Sequence, residues 1–178
     1  MSPCAQMGIR AEEAAVGTVI ENATWKARVT ATATGLKVST PAEPFVRRMA
    51  EITDADDRLF LACRALRRDE DCIEANLVVA AAQEKQEPRL CYLHIAVEEG
   101  ERLWTPVVQT HGDVDLWDIE AARPWLYAVK ALGDEFFEAG WYDDARDAYG
   151  RLLAMDPGDH LGARDNFGRI GPHLAHAV

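Results

Sequence analysis

The stretch from Leu126 to Asp159 constrains the fold of this chain more than any other part of its sequence. Gly133 and Ala145 are small, and two antiparallel helices can approach closely where such residues face each other. We expect Gly140 to end the first helix in a left-handed conformation, and Pro157 to stop the second because proline cannot continue a helix. The stretch therefore predicts a helical hairpin in which positions 133 and 145 are in contact.

The same stretch carries large residues at fixed offsets from the small ones. We expect Phe136 and Tyr149 to fill the space beside the small-residue contact. The pattern resembles the tetratricopeptide repeat, a helix–turn–helix unit of about 34 residues. The matching positions are Leu132, Gly133, Phe136, Gly140, Ala145, Tyr149 and Pro157.

A wider region, from Ala62 to Arg164, is similar to a subset of tetratricopeptide-like proteins related to the suppressor-of-tumorigenicity type. The matching elements are the Arg123-Pro124-Trp125 start of the clear hairpin and the segment from Asp159 to Arg164 after the proline. The subset usually has asparagine where this chain has Gly158 and His160. The resemblance implies a helical solenoid fragment with a protein-interaction role and no known catalytic residues.

The expected fold class is mainly α, with antiparallel helical hairpins stacked as a short TPR-like solenoid. We expect an irregular or β-hairpin-like N-terminal arm at residues 1–45, a helical domain at residues 46–172 and a flexible tail at residues 173–178. Within the arm, residues 25–40 alternate apolar and polar side chains around a turn at Gly35, which predicts a strand or hairpin. An Ala/Thr-rich tail without fixed structure is the alternative.

Ahead of the clear hairpin, the helical boundaries follow from capping and breaking residues. A short helix is expected from Ile9 to Ile20. In the helical domain, Thr53 is the expected N-cap of a helix that runs through Leu66. A further helix is expected from Ile73 to about Glu87.

The following helix is expected to start near Pro88, where the missing N–H costs nothing, and to close at Gly100. Residues 101–122 read as an irregular segment with a short helix near Leu116. We expect Asp159 to cap a last helix that Gly171 and Pro172 end.

The charge of the chain limits its partners. The net charge is −11; residues 1–48 hold six Lys or Arg and four Asp or Glu, a net of +2, so the remainder carries −13. This balance argues against nucleic acid as a partner. No segment reaches the roughly 18 apolar residues of a membrane span. We expect no membrane association and a cytoplasmic protein whose cysteines are reduced, with Cys63 and Cys91 as small core residues.

The sequence shows no arrangement that predicts catalysis or a metal site. It lacks the phosphate-binding, dinucleotide-binding, serine-hydrolase and zinc-protease motifs. His173 and His176 have helical spacing for metal ligands but lie in the expected tail, so we expect neither a metal nor a cofactor. The enzymatic alternative is a cleft among the acids of residues 113–144, with Asp113, Asp115 and Asp118 as its first candidates.

The repeat resemblance implies that first helices of successive hairpins line a concave groove. Its positions map onto Tyr127, Lys130, Asp134, Phe137 and Glu138. Phe137 stands beside Phe136 on a helix that needs one of them for its core, so an exposed Phe137 would suit an interface hot spot. The alternative is that Phe137 packs under the irregular segment, for instance under Trp117.

The expected function is a non-enzymatic protein–protein interaction module that binds a peptide or a partner subunit through this groove. The alternative is a structural subunit whose N-terminal arm inserts into a larger assembly, because an unpaired strand seeks a sheet edge. Homo-oligomerisation is compatible with both hypotheses, since short repeat arrays must bury their ends.

Overall fold

The computed structural model describes residues 19–20, 28–32, 35–111 and 114–174, and this part of the chain is mainly helical. The strands are β1 Val19–Ile20, β2 Arg28–Thr32 and β3 Gly35–Ser39; the helices are α1 Glu43–Glu51, α2 Ala55–Leu66, α3 Ile73–Ala81, α4 Gln86–His111, α5 Arg123–Glu138, α6 Tyr142–Met155 and α7 Ala163–Leu174. Residues Leu116–Asp118 and Glu120–Ala122 form 3-10 turns between α4 and α5. Each helix packs against the next one along the chain.

The strands form an antiparallel sheet in the order β1-β2-β3, and Val29 of β2 pairs with Val38 of β3. Val29 is fully buried in the main core, and Leu36 and Val38 pack against the same core. The strand pattern predicted for residues 25–40 is therefore present in β2 and β3, and it lies on the helical body. A helix is predicted for residues 9–20, but the structure describes only Val19 and Ile20 of this segment, and they form strand β1.

Two apolar clusters hold the helices together. The main cluster is built mostly from α4, α5 and α6 and includes Trp104, Trp125 and Leu126, which are almost fully buried. The smaller cluster joins α1, α2 and α3 around Met49, with alanines at the helix contacts. Because the alanine side chains are short, α1, α2 and α3 can approach one another closely at these positions, and larger side chains such as Leu59 and Leu66 pack around them.

The structure moves two of the predicted boundaries. Asp54, one residue after the predicted Thr53, is the N-cap of α2: its side chain accepts a hydrogen bond from Asp57 N at 2.9 Å. α3 ends at Ala81 rather than near Glu87, and α4 then begins at Gln86, close to Pro88 as predicted.

The prediction that Gly100 closes a helix is wrong. α4 continues through Gly100 and Pro106 to His111. A Cβ atom added at Gly100 would overlap the indole of Trp125, with the indole Nε1 at 2.6 Å. The glycine is therefore the place where Trp125 packs directly on the backbone of α4, and the predicted irregular segment is helical for its first half.

The C-terminal boundary also differs from the prediction. Asp159 does cap the last helix, accepting a hydrogen bond from Ala163 N at 2.6 Å, but α7 starts only at Ala163. The helix passes through Gly171 and Pro172 and reaches Leu174. Gly171 has no Cβ, which removes one of the clashes that disfavour helical backbone before proline. The expected tail from residue 173 is described only at residues 173 and 174.

Candidate functional site

The turn between α5 and α6 has the geometry that its sequence predicts. Gly140 adopts a left-handed conformation with φ of 78°. The N–H of Trp141 donates to the carbonyl of Phe136 at 2.9 Å, and the N–H of Gly140 donates to that of Phe137 at 3.1 Å. These two bonds form the Schellman pattern that closes a helix at a C-terminal glycine. They fix the direction in which α6 returns along α5.

The close approach of the two helices occurs at Gly133. A Cβ atom added there would lie 2.8 Å from Cε1 of Tyr149 and 3.3 Å from the Cβ of Ala148. The nearest atoms on α6 thus belong to Tyr149 and Ala148, while Ala145 is fully buried one turn earlier. Gly133 is therefore a close-contact position, with the large Tyr149 side chain directly on it, and the predicted contact between positions 133 and 145 stays a prediction.

A polar network crosses three helices beside this contact. Asp134 accepts hydrogen bonds from Tyr149 Oη at 2.7 Å, from Lys130 Nζ at 2.7 Å and from Asn166 Nδ2 at 3.1 Å. Burial raises the pKa of the Tyr149 hydroxyl, and its hydrogen bond to the Asp134 carboxylate raises that pKa further. The protonated tyrosine is therefore a stable donor, and the network ties α5, α6 and α7 together.

Phe137 is half-buried beside this network. The Arg169 guanidinium of α7 lies 4.9 Å from the Phe137 ring centroid, within cation–π range, and the Tyr142 ring meets it edge-on at 5.6 Å. Phe137 thus contacts α6 and α7. Trp117, the residue that the alternative hypothesis placed over Phe137, has ring contacts with Tyr127 and His160.

Tyr127 is the most exposed aromatic residue of the predicted groove, with 45% of its surface accessible. The Trp117 ring meets it edge-on at 6.1 Å. The same indole is stacked on His160 at 4.6 Å and lies under the Arg123 guanidinium at 5.0 Å. The buried Asp156 carboxylate accepts a hydrogen bond from the His160 backbone N–H at 2.8 Å. Its other oxygen lies 2.7 Å from the His160 ring Nδ1.

The five predicted groove residues follow one side of α5 at positions 127, 130, 134, 137 and 138, and Glu138 is exposed at the end of the helix. Helix α7 extends this side with Asn166 and Arg169, which contact Asp134 and Phe137. We call these seven residues the α5–α7 face. The sequence reasoning did not find Asn166 and Arg169, although their spacing of three residues places both on one side of a helix.

The cysteines have environments that differ from the predicted ones. Cys63 and Cys91 are exposed rather than in the core, and Cys72 is the buried cysteine of the described residues. Burial raises the pKa of the Cys72 thiol well above its usual value.

Of the acids proposed for an enzymatic cleft, Asp115 caps the turn at Trp117 with a hydrogen bond of 3.0 Å. Asp118 is exposed, and Asp113 lies outside the described residues. The described residues contain no group of three or more His, Cys, Asp or Glu side chains placed to bind a metal ion. In the same part of the chain, no helix combines the length and apolar character needed to cross a bilayer.

No protein-family model matches the chain, and no match was found among the curated proteins compared with it. The resemblance to the tetratricopeptide repeat therefore stays a prediction, based on the residues of the α5–α6 hairpin.

Proposed function

We propose that this chain is a non-catalytic protein-interaction module, built as a short TPR-like solenoid, which binds a peptide or partner subunit on the α5–α7 face. The proposal is supported by one observation above others. Lys130 and Asp134 are paired at 2.7 Å, and the Arg169 guanidinium lies over the Phe137 ring at cation–π distance, so these side chains are held in place before any ligand arrives. A face with ordered side chains loses less conformational entropy when it binds a partner.

The composition of the face suits a protein partner. It offers an exposed tyrosine, a half-buried phenylalanine and charges of both signs. Interface hot spots are enriched in aromatic residues and arginine, surrounded by contacts that exclude water. Tyr127, Glu138 and Arg169 are the exposed members. They can contact a partner without breaking the Asp134 network.

Affinity purification from the source organism tests this proposal, with the double variant Tyr127→Ala and Glu138→Lys as bait. Both residues are exposed, so the variant should unfold at the same temperature as the parent chain. We expect partners retained by the parent to be lost from this bait. The matched control is Trp141→Ala with Glu87→Lys, which removes an equally exposed aromatic ring and reverses one exposed charge elsewhere. Full retention of every partner by the first variant would contradict the proposal.

A second candidate function is a subunit engaged through the N-terminal arm. It is favoured by a cleft of about 850 Å³ beside β3, a strand at one edge of the described sheet. Leu36, Val38 and Val46 supply apolar lining to this cleft. An edge strand beside an apolar cleft can accept an added strand from a partner. If this candidate is correct, Leu36→Asp should reduce the size of the native complex on gel filtration, while the Tyr127 and Glu138 variant should leave it unchanged.

A further inference from the structure

A second surface, at the junction of α1 and α2, combines aromatic rings with positive charge in an otherwise acidic protein. Phe45, Phe60, Arg64, Arg67 and Arg68 line a cleft of about 380 Å³. Phe60 is 61% exposed, the highest value among the large apolar side chains of the described residues. We call this surface the Phe–Arg cleft. Its volume is within the range of roughly 300–1,000 Å³ that is typical of ligand-binding pockets.

The arginines of the Phe–Arg cleft have no carboxylate partner among the described residues. Ion pairs there engage the nearby Arg47 and Arg48 with Glu43 and Glu51, and none involves Arg64, Arg67 or Arg68. Three acids, Asp69, Glu70 and Asp71, follow these arginines in sequence. Asp69 is fully buried and accepts a hydrogen bond from Thr40 Oγ1 at 2.5 Å, whereas Glu70 and Asp71 are partly buried. None of these acids lines the cleft, so the charged side chains that line it are the three arginines, in a chain with 30 acidic and 19 basic residues.

The position of these arginines at the end of α2 has one structural explanation. Cations near a helix C-terminus interact favourably with the helix dipole. That effect does not explain the two phenylalanines beside them. The Arg64 guanidinium lies 5.5 Å from the Phe45 ring centroid and 5.8 Å from that of Phe60. Both distances are within cation–π range, so the two rings restrain the guanidinium. A guanidinium can contact a ring and still bind a carboxylate through its N–H groups.

We propose that the Phe–Arg cleft binds an acidic peptide segment of a partner protein, with an aromatic or large aliphatic side chain against Phe45 and Phe60 and carboxylates on the arginines. This surface and the α5–α7 face are separate, and the proposal does not depend on the function suggested for that face. Arginine pairs with carboxylates through two parallel hydrogen bonds, which gives geometric specificity as well as attraction.

An acidic peptide fits the charge distribution better than a nucleic acid does. A nucleic acid carries a charge at every phosphate, so its strand would extend from the cleft over a chain whose net charge is −11. Like charges within a Debye length of about 8 Å repel each other at physiological ionic strength. A peptide can confine its few carboxylates to the three arginines.

The test uses the full chain and a short fluorescein-labelled peptide in which Asp and Glu alternate with Phe and Leu, followed by fluorescence anisotropy. We expect saturable binding that weakens at least about tenfold in Phe60→Ala and in the double variant Arg67→Glu, Arg68→Glu. Binding should also weaken when the peptide acids are replaced by Asn and Gln, or its Phe and Leu by Ala.

Two matched controls distinguish binding in the cleft from general electrostatic and hydrophobic effects. Arg58→Glu reverses an exposed charge on the same helix outside the cleft, and Phe167→Ala removes another exposed ring. Both should bind the peptide within about twofold of the parent chain, because a charge change at a solvent-exposed site away from the contact is largely screened. All the substituted side chains are exposed, and thermal melts check that each variant is folded.

Several outcomes would overturn the proposal. They are an absence of saturable peptide binding, a loss of affinity in Arg58→Glu as large as that in the cleft variants, and undiminished binding of the peptide whose acids are replaced by Asn and Gln. Tighter, Phe60-dependent binding of an oligothymidylate would make a polyanion the occupant. Self-association that Phe60→Ala abolishes, measured by sedimentation, would make a second copy of the chain the occupant. The Tyr127 and Glu138 variant should bind the acidic peptide normally, so failure of either proposal is recognisable independently.

Discussion

The α3–α4 and α5–α6 hairpins each contain a glycine that sequence patterns predict as a helix end, and the two glycines behave differently. Gly140 does end its helix: its φ is 78°, and an added Cβ atom would meet nothing within 4 Å. Gly100 lies inside a helix of 26 residues, and an added Cβ atom would overlap Trp125. The first glycine is required by the backbone conformation and the second by the packing of a side chain.

This difference shows that a glycine signal has two physical causes. A left-handed turn depends on residues next to the glycine, whereas a packing glycine depends on a residue far away in sequence. Trp125 is 25 positions after Gly100 and belongs to α5. Variants at the glycines of these helices can therefore separate the two causes.

The largest effect is expected for Gly100→Ala. The added methyl group collides with a tryptophan that is only 4% exposed and has little room to move. We expect the free energy of unfolding to fall by about 3 kcal/mol, at the upper end of the range for overpacked cores. Urea denaturation followed by circular dichroism measures it.

Gly150→Ala is the control for Gly100→Ala. In the middle of α6, its Cβ would meet only Phe167, at 3.7 Å, an ordinary contact distance. Replacing glycine by alanine in a helix should then raise the free energy of unfolding by about 0.5–1 kcal/mol. A similar gain for Gly100→Ala would show that Trp125 does not pack on the α4 backbone.

A smaller loss is expected for Gly133→Ala, at the α5–α6 contact. The new Cβ would be 2.8 Å from Tyr149 Cε1, at the far part of a single side chain. We expect a loss of about 2 kcal/mol in the free energy of unfolding. The loss should shrink in a Tyr149→Leu background, which removes the colliding ring, and a double-mutant cycle measures this coupling. Purely additive effects would contradict the contact.

Gly140→Ala tests the backbone cause by itself. Space is available for the methyl group, so the cost is only that of holding alanine in the left-handed region, about 1 kcal/mol. Gly140→Asn should lose less, because asparagine tolerates this conformation better. Unfolding by urea compares the two variants, and an Asn variant as unstable as the Ala variant would argue against a purely conformational cause.

The smallest effect concerns the Asp134 network. Tyr149→Phe removes the hydroxyl that donates to Asp134, and we expect a loss of about 1 kcal/mol in the free energy of unfolding near neutral pH. The folded-state pKa of Tyr149 is raised, so its stabilisation is complete below the unfolded-state pKa of about 10 and is lost as the pH rises above it. Urea denaturation across this range should show the difference between parent and variant shrinking. A constant difference would contradict the proposed proton linkage.

Prediction from sequence succeeded where the signals were local. The left-handed Gly140, the start of α5 at Arg123 and the capping role of Asp159 all depend on residues within a few positions of one another. Prediction failed at Cys63 and Cys91, which lie in apolar stretches but are exposed. Which side of a helix is buried depends on the helices that pack against it. The apolar residues of a single stretch of sequence do not show where those helices lie.

The candidate site shows the same division. The five α5 positions could be named from the hairpin pattern, because α5 was predicted well. Asn166 and Arg169 could not, since their contacts with Asp134 and Phe137 exist only when α7 packs beside α5. The Phe–Arg cleft was also missed: Phe45 and Phe60 belong to different helices, and both lie within cation–π range of Arg64 only after α1 and α2 pack together.

The sequence by itself determined the helical character of the chain and the turn at Gly140, because helix periodicity, caps and left-handed glycines are effects of neighbouring residues. Only the tertiary structure decided that α4 continues through Gly100, that Asp134 joins three helices, and that three arginines meet two phenylalanines in one cleft. These features depend on contacts between distant residues, and such contacts form only when the helices bury their apolar sides against one another.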